Sequence, residues 1–208
     1  MADYLDEKEQ WEQVLAWLRE QGPWMLATVV VVLLGFGGWR YWQAHKLRTD
    51  LAAEAGYEQV IDTFGRNDFA GGTAAADRLI KDYPGTPYAD MADLAVARVA
   101  VEHSQLPQAA ERLTHVLDTT RDPELKLLAR LRLARVQLGE GKADVALKTL
   151  AAVDPGAFAA RYAEVRGDAL LAKGDRAGAL RAYQSARSGD DTLDSSLLDL
   201  KIDDLARS

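Results

Sequence analysis

The 208-residue sequence lacks cysteine, has no block rich in lysine or arginine, and is poor in the β-branched and aromatic runs that mark strands. Without cysteine the chain cannot form a disulfide framework, a zinc–thiolate site or a cysteine nucleophile. Its formal net charge of −7 argues against binding to nucleic acid, which needs clustered positive charge. The abundance of alanine and leucine predicts an all-α protein.

Recognisable catalytic, metal-binding and phosphate-binding motifs are also absent from the sequence. The histidines His45, His103 and His115 stand apart from one another, and none has the spacing of a metal site. No glycine-rich phosphate loop of the Walker or dinucleotide type occurs. We therefore expect a protein that is not an enzyme and that needs no cofactor, metal or small-molecule substrate. The alternative is an enzyme whose site the sequence does not reveal.

Residues 23–42, PWMLATVVVVLLGFGGWRYW, form one long apolar segment with no charge from Pro23 to Trp39. Twenty residues of helix are about 30 Å long, which matches the hydrocarbon core of a bilayer. Aromatic residues at both ends suit the two water interfaces: Trp24, Trp39, Tyr41 and Trp42. Because no small-residue cleavage site follows, the segment predicts a transmembrane signal-anchor, with a buried core helix as the alternative.

Residues 1–22 precede this segment and carry an apolar stripe at helical spacing: Trp11, Val14, Leu15 and Leu18. The stripe predicts a short amphipathic helix. It could lie on the bilayer surface, although its acidic polar face weakens that interpretation for anionic lipid. It could instead be a binding handle for another protein. In that case the chain would be a regulator that sequesters a cytoplasmic signalling protein.

The charges that flank the apolar segment give only a weak topology signal. Lys8 and Arg19 precede it, and Arg40, Lys46 and Arg48 follow it. Under the positive-inside rule, this count slightly favours a cytoplasmic C-terminal domain.

A repeat appears in residues 131–150, LRLARVQLGEGKADVALKTL, and in 167–183, GDALLAKGDRAGALRAY. Small residues recur at spacings of 37, 37 and 33: Gly72, Ala109, Ala146 and Ala179. Four residues later stand Ala76, Leu113, Leu150 and Tyr183, and twelve residues earlier stand Val60, Ala97, Ala134 and Gly167. Small residues let antiparallel helices approach to about 8–10 Å, and larger ones fill the gap.

A helix–turn–helix period near 34 residues is typical of tetratricopeptide repeats. Residues 43–208 are therefore predicted to form about four helix pairs, with Gly139 and Gly141 in one unit and Gly174 in the next as helix stops. The final segment 192–208 reads as a capping helix, with Leu198, Ile202 and Leu205 on one face. The alternative is a generic helical bundle whose spacing is coincidental.

The concave face of such an array is built largely from the first helix of each pair. Here it would draw on 91–102, 125–138 and 159–172. A positive patch there could come from Arg98, Arg130 and Arg135, with ordinary solvated surface charge as the alternative.

Three stretches, GWRYW at 38–42, LRLARVQL at 131–138 and VRGDALLAKGD at 165–175, resemble the YfgM family of ancillary SecYEG translocon subunits. The resemblance implies a single-pass inner-membrane protein of Gram-negative bacteria. It implies a cytoplasmic N-terminus and a periplasmic tetratricopeptide-like domain, in the orientation that the Lys/Arg count opposes. It further implies association with the translocon and with the periplasmic chaperone PpiD, and a role in passing secreted proteins to periplasmic chaperones.

Overall fold

The computed structural model describes residues 3–189 and 195–206. These residues form nine α-helices and no strand, which confirms the all-helical prediction. A 3₁₀ turn, Gly156–Phe158, precedes the seventh helix. The helices are α1 Asp3–Gly65, α2 Phe69–Asp82, α3 Pro87–Glu102, α4 Leu106–Thr119, α5 Pro123–Gly139, α6 Ala143–Ala151, α7 Ala159–Ala172, α8 Arg176–Gly189 and α9 Ser195–Ala206.

The chain divides into two compact units, Met1–Leu51 and Ala52–Ser208. The second unit contains four helix pairs. They are the end of α1 with α2, α3 with α4, α5 with α6, and α7 with α8. Helix α9 follows the last pair.

Side-chain caps begin several of these helices. Asp68, Asp122 and Asp175 each accept a hydrogen bond of 2.8 Å from a backbone N–H in the first turn of α2, α5 and α8. Such bonds satisfy donors that have no partner within the helix. Pro87 and Pro123 occupy the starts of α3 and α5, where proline costs no hydrogen bond.

Every hairpin turn in the array contains one residue with left-handed backbone geometry, with φ between 60° and 82°: Asn67, Ser104, Gly141 and Gly174. In each turn the next N–H bonds to the carbonyl five residues earlier, at 2.7–3.2 Å. This is the Schellman arrangement, which ends a helix and satisfies its last carbonyls. The four residues are 37, 37 and 33 apart, the same spacing that the small residues show in the sequence.

Four apolar clusters follow one another along the array. The first joins α1, α2 and α3, the second joins α3, α4 and α5, and the third joins α5, α6 and α7. Each pair thus completes its core with the next pair, as stacked repeats must. In the fourth cluster, Leu198, Ile202 and Leu205 of α9 cover the last pair. Residues 192–194 and 207–208 of the predicted capping segment lie outside the described residues.

Candidate functional site

The residues predicted to pack the repeats lie in the core of the array. All are buried, and the larger ones are at most 2% exposed: Gly72, Ala109, Ala146, Ala179, Gly167, Leu113, Leu150 and Tyr183. The closest approaches are at the two glycines. A Cβ atom on Gly72 would lie 2.4 Å from the ring of Phe64, and one on Gly167 would lie 2.4 Å from the ring of Tyr183. Any larger side chain at these positions would overlap the neighbouring helix.

A polar cluster connects the capping helix α9 to the last pair. The Tyr183 hydroxyl donates to Asp168 at 2.8 Å, and Lys201 Nζ donates to Glu164 at 2.9 Å and to Asp168 at 2.8 Å. Burial, together with the two carboxylates, raises the pKa of Tyr183 above its usual range. Because these bonds join α7, α8 and α9 to one another, the cluster stabilises the end of the stack.

A second buried polar cluster lies between α2, α3 and α4. Asp93 is 1% exposed and accepts a bond from Arg112 at 3.3 Å, while its other oxygen is 2.6 Å from His115 Nδ1. Arg112 also pairs with Asp77 at 2.6 Å. Burial raises the pKa of Asp93 against the opposing influence of His115 and Arg112. No sequence motif indicates this cluster, because Asp93 lies 19 and 22 residues from these two partners.

An apolar groove of about 800 Å³ runs along the first helices of the first three pairs. Met91 and Val101 of α3 line it and are 41% and 43% exposed, so its apolar surface is open to solvent. The concave face was predicted from 91–102, 125–138 and 159–172. The groove uses the first two ranges and adds residues of α1 and α4, whereas no described residue of the third range lines it.

Three arginines line this groove, Arg98 on α3 and both Arg132 and Arg135 on α5. Arg98 lies 3.7 Å from Glu102, which also lines the groove, and Arg135 lies 3.7 Å from Glu164. Among the described residues, Arg132 has no carboxylate partner. Partial burial, together with the charges of Arg135 and Arg98, lowers its pKa. The groove therefore combines apolar walls with positive charge, on a chain whose net charge is −7.

Of the three arginines predicted to form a positive patch, Arg98 and Arg135 line the groove, whereas Arg130 does not. Arg130 is half-buried, and its Nη1 lies 3.5 Å from the carbonyl oxygen of Thr149 on α6. Two residues along a helix correspond to a rotation of about 200°, so Arg130 and Arg132 face opposite ways. Sequence reasoning missed Arg132. The available signal was its three-residue spacing from Arg135, which places both on one helix face.

The aromatic residues predicted at the membrane interfaces all lie exposed on α1: Trp24, Trp39, Tyr41 and Trp42. In the part of the chain whose side chains are described, no helix has the length and apolar character of a membrane span. That part omits four residues of the segment 23–42: Pro23, Leu26, Ala27 and Val29. In the amphipathic stripe, Trp11 and Leu15 are exposed, and Val14 and Leu18 lie outside the described side chains.

Among the side chains that the structure describes, which exclude most of those before Val30, no group of three metal-binding residues comes together. The two histidines of the array each have a partner. The Nδ1 atom of His103 is 2.9 Å from the carbonyl oxygen of Val99, and His115 pairs with Asp93. These contacts give both histidines a structural role.

Known proteins match this sequence over nearly its whole length. The sequence profile of a tetratricopeptide repeat-like domain matches residues 15–207. The chain is 35% identical over 212 residues to the ancillary SecYEG translocon subunit of Escherichia coli (strain K12), covering 99% of this chain and 100% of that protein. The proteins of the same name from Aggregatibacter actinomycetemcomitans and Haemophilus influenzae are 31% and 30% identical over 205 residues, with the same coverage.

Among solved structures, the MamA RS-1 ArsTM double mutant matches with a TM-score of 0.56 and 17% identity, covering 74% of this chain and 94% of that chain. At this identity the likeness concerns the fold alone. The relatives matched along their full length confirm the resemblance seen in the sequence. The chain belongs to the family of ancillary SecYEG translocon subunits, with a tetratricopeptide repeat-like domain.

Proposed function

We propose that this chain is a non-enzymatic adaptor that associates with the SecYEG translocon. The observation that carries the proposal is the similarity to translocon subunits over 99% of the chain. The architecture suits the role, because stacked helix pairs present an extended surface for protein contacts.

The adaptor is held in the bacterial inner membrane by a single transmembrane helix at residues 23–42. Support comes from the sequence, in which Pro23 to Trp39 carry no charge and aromatic residues stand at both ends. In this proposal, residues 1–22 are cytoplasmic and residues 43–208 form the periplasmic domain. The family resemblance supports this orientation, and the count of Lys and Arg weakly opposes it.

The periplasmic domain contacts the chaperone PpiD and helps transfer secreted proteins to periplasmic chaperones. Tethering beside the translocon raises the effective concentration of each partner, to the millimolar range for short connections. A weak contact is then sufficient, which fits an open groove better than a deep, enclosed pocket would.

The association is tested by affinity purification of the tagged full chain from gently solubilised native membranes. We expect recovery of translocon subunits together with PpiD. An unrelated single-span protein with the same tag, at the same level, is the control. Recovery of no translocon component above that control would refute the adaptor role.

The orientation is tested with alkaline phosphatase, which is active only outside the cytoplasm. Fused to the C-terminus of the full chain, the enzyme should be active. Fused directly after residue 21, without the apolar segment, it should be inactive. An inactive C-terminal fusion that is nevertheless present in full amount in the membrane would contradict the proposed topology.

A further inference from the structure

We propose that the groove along α1, α3 and α5 binds an apolar segment of a second polypeptide that carries carboxylates, and that Arg132 and Arg135 pair with those carboxylates. This inference rests on the proposed adaptor function, because it assigns a partner chemistry to the adaptor's surface. Its test is independent of the translocon.

The apolar walls of the groove indicate that the bound segment has apolar side chains. Ile61, Met91 and Val101 are between 38% and 43% exposed, and all three line the same groove. Single exposed apolar residues are ordinary, whereas their convergence in one concave surface indicates a binding site. A volume of about 800 Å³ lies in the range of sites that enclose a ligand's side chains, and it is too small to enclose a folded domain.

The positive charges of the groove indicate that the same segment carries carboxylates. Arg132 has no described anionic partner, and it stands beside two further positive charges, Arg98 and Arg135. The existing pairs of those two arginines are 3.7 Å long, beyond hydrogen-bonding distance, and their side chains are 67% and 52% exposed. Such exposed pairs contribute little stability, so both guanidinium groups are available to a ligand.

A bound carboxylate would relieve the repulsion within the arginine cluster. Guanidinium and carboxylate groups also match in geometry and form paired, charge-assisted hydrogen bonds. A basic segment would add to the repulsion, and a purely apolar segment would leave it in place. Charge complementarity therefore selects an acidic, apolar segment over a general hydrophobic one.

The test measures fluorescence anisotropy with the full chain in a mild detergent and three labelled probes. The first is a short peptide that alternates leucine and phenylalanine with glutamate. In the second, lysine replaces every glutamate, and in the third, glycine replaces every apolar residue. We expect the first to bind with an affinity that falls as salt rises, and the other two to bind at least about tenfold more weakly. Equal binding of the glutamate and lysine peptides would overturn the proposal.

Variants then locate the binding surface. The double variant Arg132→Glu with Arg135→Glu should lower the affinity for the glutamate peptide at least about tenfold, since each charge-assisted pair that is lost corresponds to roughly a factor of ten in affinity. It should also bind the lysine peptide more tightly than the wild type does, which a merely misfolded array would not. The matched control is Arg176→Glu with Arg181→Glu, at exposed positions on α8 away from the groove, which should change neither affinity. Equal losses in both double variants would overturn the assignment.

Other outcomes separate this inference from the proposed function and from self-association. Translocon recovery without binding of the glutamate peptide would overturn this inference alone. Peptide binding without translocon recovery would overturn the adaptor role and leave the groove as a binding site. If sedimentation shows a dimer that the Arg132 and Arg135 variant dissociates, the occupant is a second copy of the chain and the proposal is wrong.

Discussion

The crossing of α7 and α8 provides a direct test of how closely the repeats pack. In the variant Gly167→Ala, the added Cβ would lie 2.4 Å from Cε1 and 2.5 Å from Cδ1 of Tyr183. Carbon atoms in favourable contact are about 3.5–4.0 Å apart, so the ring or the helix must move by roughly 1 Å. The ring has little freedom, because Tyr183 is 1% exposed and its hydroxyl is bonded to Asp168 at 2.8 Å.

Two opposing effects set the size of the change at Gly167. Alanine favours a helix interior over glycine by about 1 kcal/mol. Overpacking of a close crossing costs about 1–3 kcal/mol, and disturbing the bond from Tyr183 to Asp168 costs about 1 kcal/mol more. We therefore expect a net loss of about 1–3 kcal/mol in the free energy of unfolding, with the melting temperature falling by about 2–4 °C per kcal/mol for a domain of this size.

The measurement is thermal and urea unfolding followed by far-UV circular dichroism. Tryptophan emission would not report on the array, because every tryptophan precedes Ala52: Trp11, Trp17, Trp24, Trp39 and Trp42. The matched control is Gly65→Ala, where nothing lies within 4 Å of the added atom. That variant should be unchanged or stabilised by up to about 1 kcal/mol. If the Gly167→Ala variant melts at or above the wild-type temperature, α7 and α8 do not pack as closely at Gly167 as the structure shows.

Further predictions concern three buried positions. Asp93→Ala leaves Arg112 and His115 without their shared partner, so the free energy of unfolding measured in urea should fall by about 3 kcal/mol. Asp93→Asn keeps the volume of the side chain and should lower it by less. Equal losses in the two variants would contradict a stabilising role for the polar contacts of Asp93. The folded-state pKa of Tyr183 is raised above the ordinary value of 10.0, so its stabilising contribution is present below pH 10.0 and is lost as pH rises above it. Tyr183→Phe should therefore make the alkaline fall in melting temperature shallower, and an unchanged slope would refute this. Ala146→Leu places a large side chain at a fully buried position and should cost about 1–3 kcal/mol, so an unchanged melting temperature would argue against the stacked hairpins.

Much of the candidate site could be anticipated from helical periodicity. The pattern around Ala109, Ala146 and Ala179 indicated helix pairs, and it placed α3 and α5 on the concave face. It also selected Arg98 and Arg135. It misplaced Arg130, because a run of basic residues on one helix does not by itself show which of them faces a neighbouring helix.

Other features depend on residues far apart in the chain. The turns at Asn67 and Ser104 adopt the same left-handed geometry as those at Gly141 and Gly174, without the glycine that would have marked them. The Asp93 cluster joins three helices. The groove brings Tyr57 and Ile61 of α1 together with Leu106 and Leu113 of α4, beside the residues of α3 and α5.

Within the array, the sequence by itself determined the helix pairs, because small residues and helix stops act locally and recur at a fixed spacing. The tertiary structure alone decided which charges share the groove, because that depends on the rotation of each helix against the next. Packing of the whole core sets that rotation. It turned Arg132 towards the groove and Arg130 towards α6.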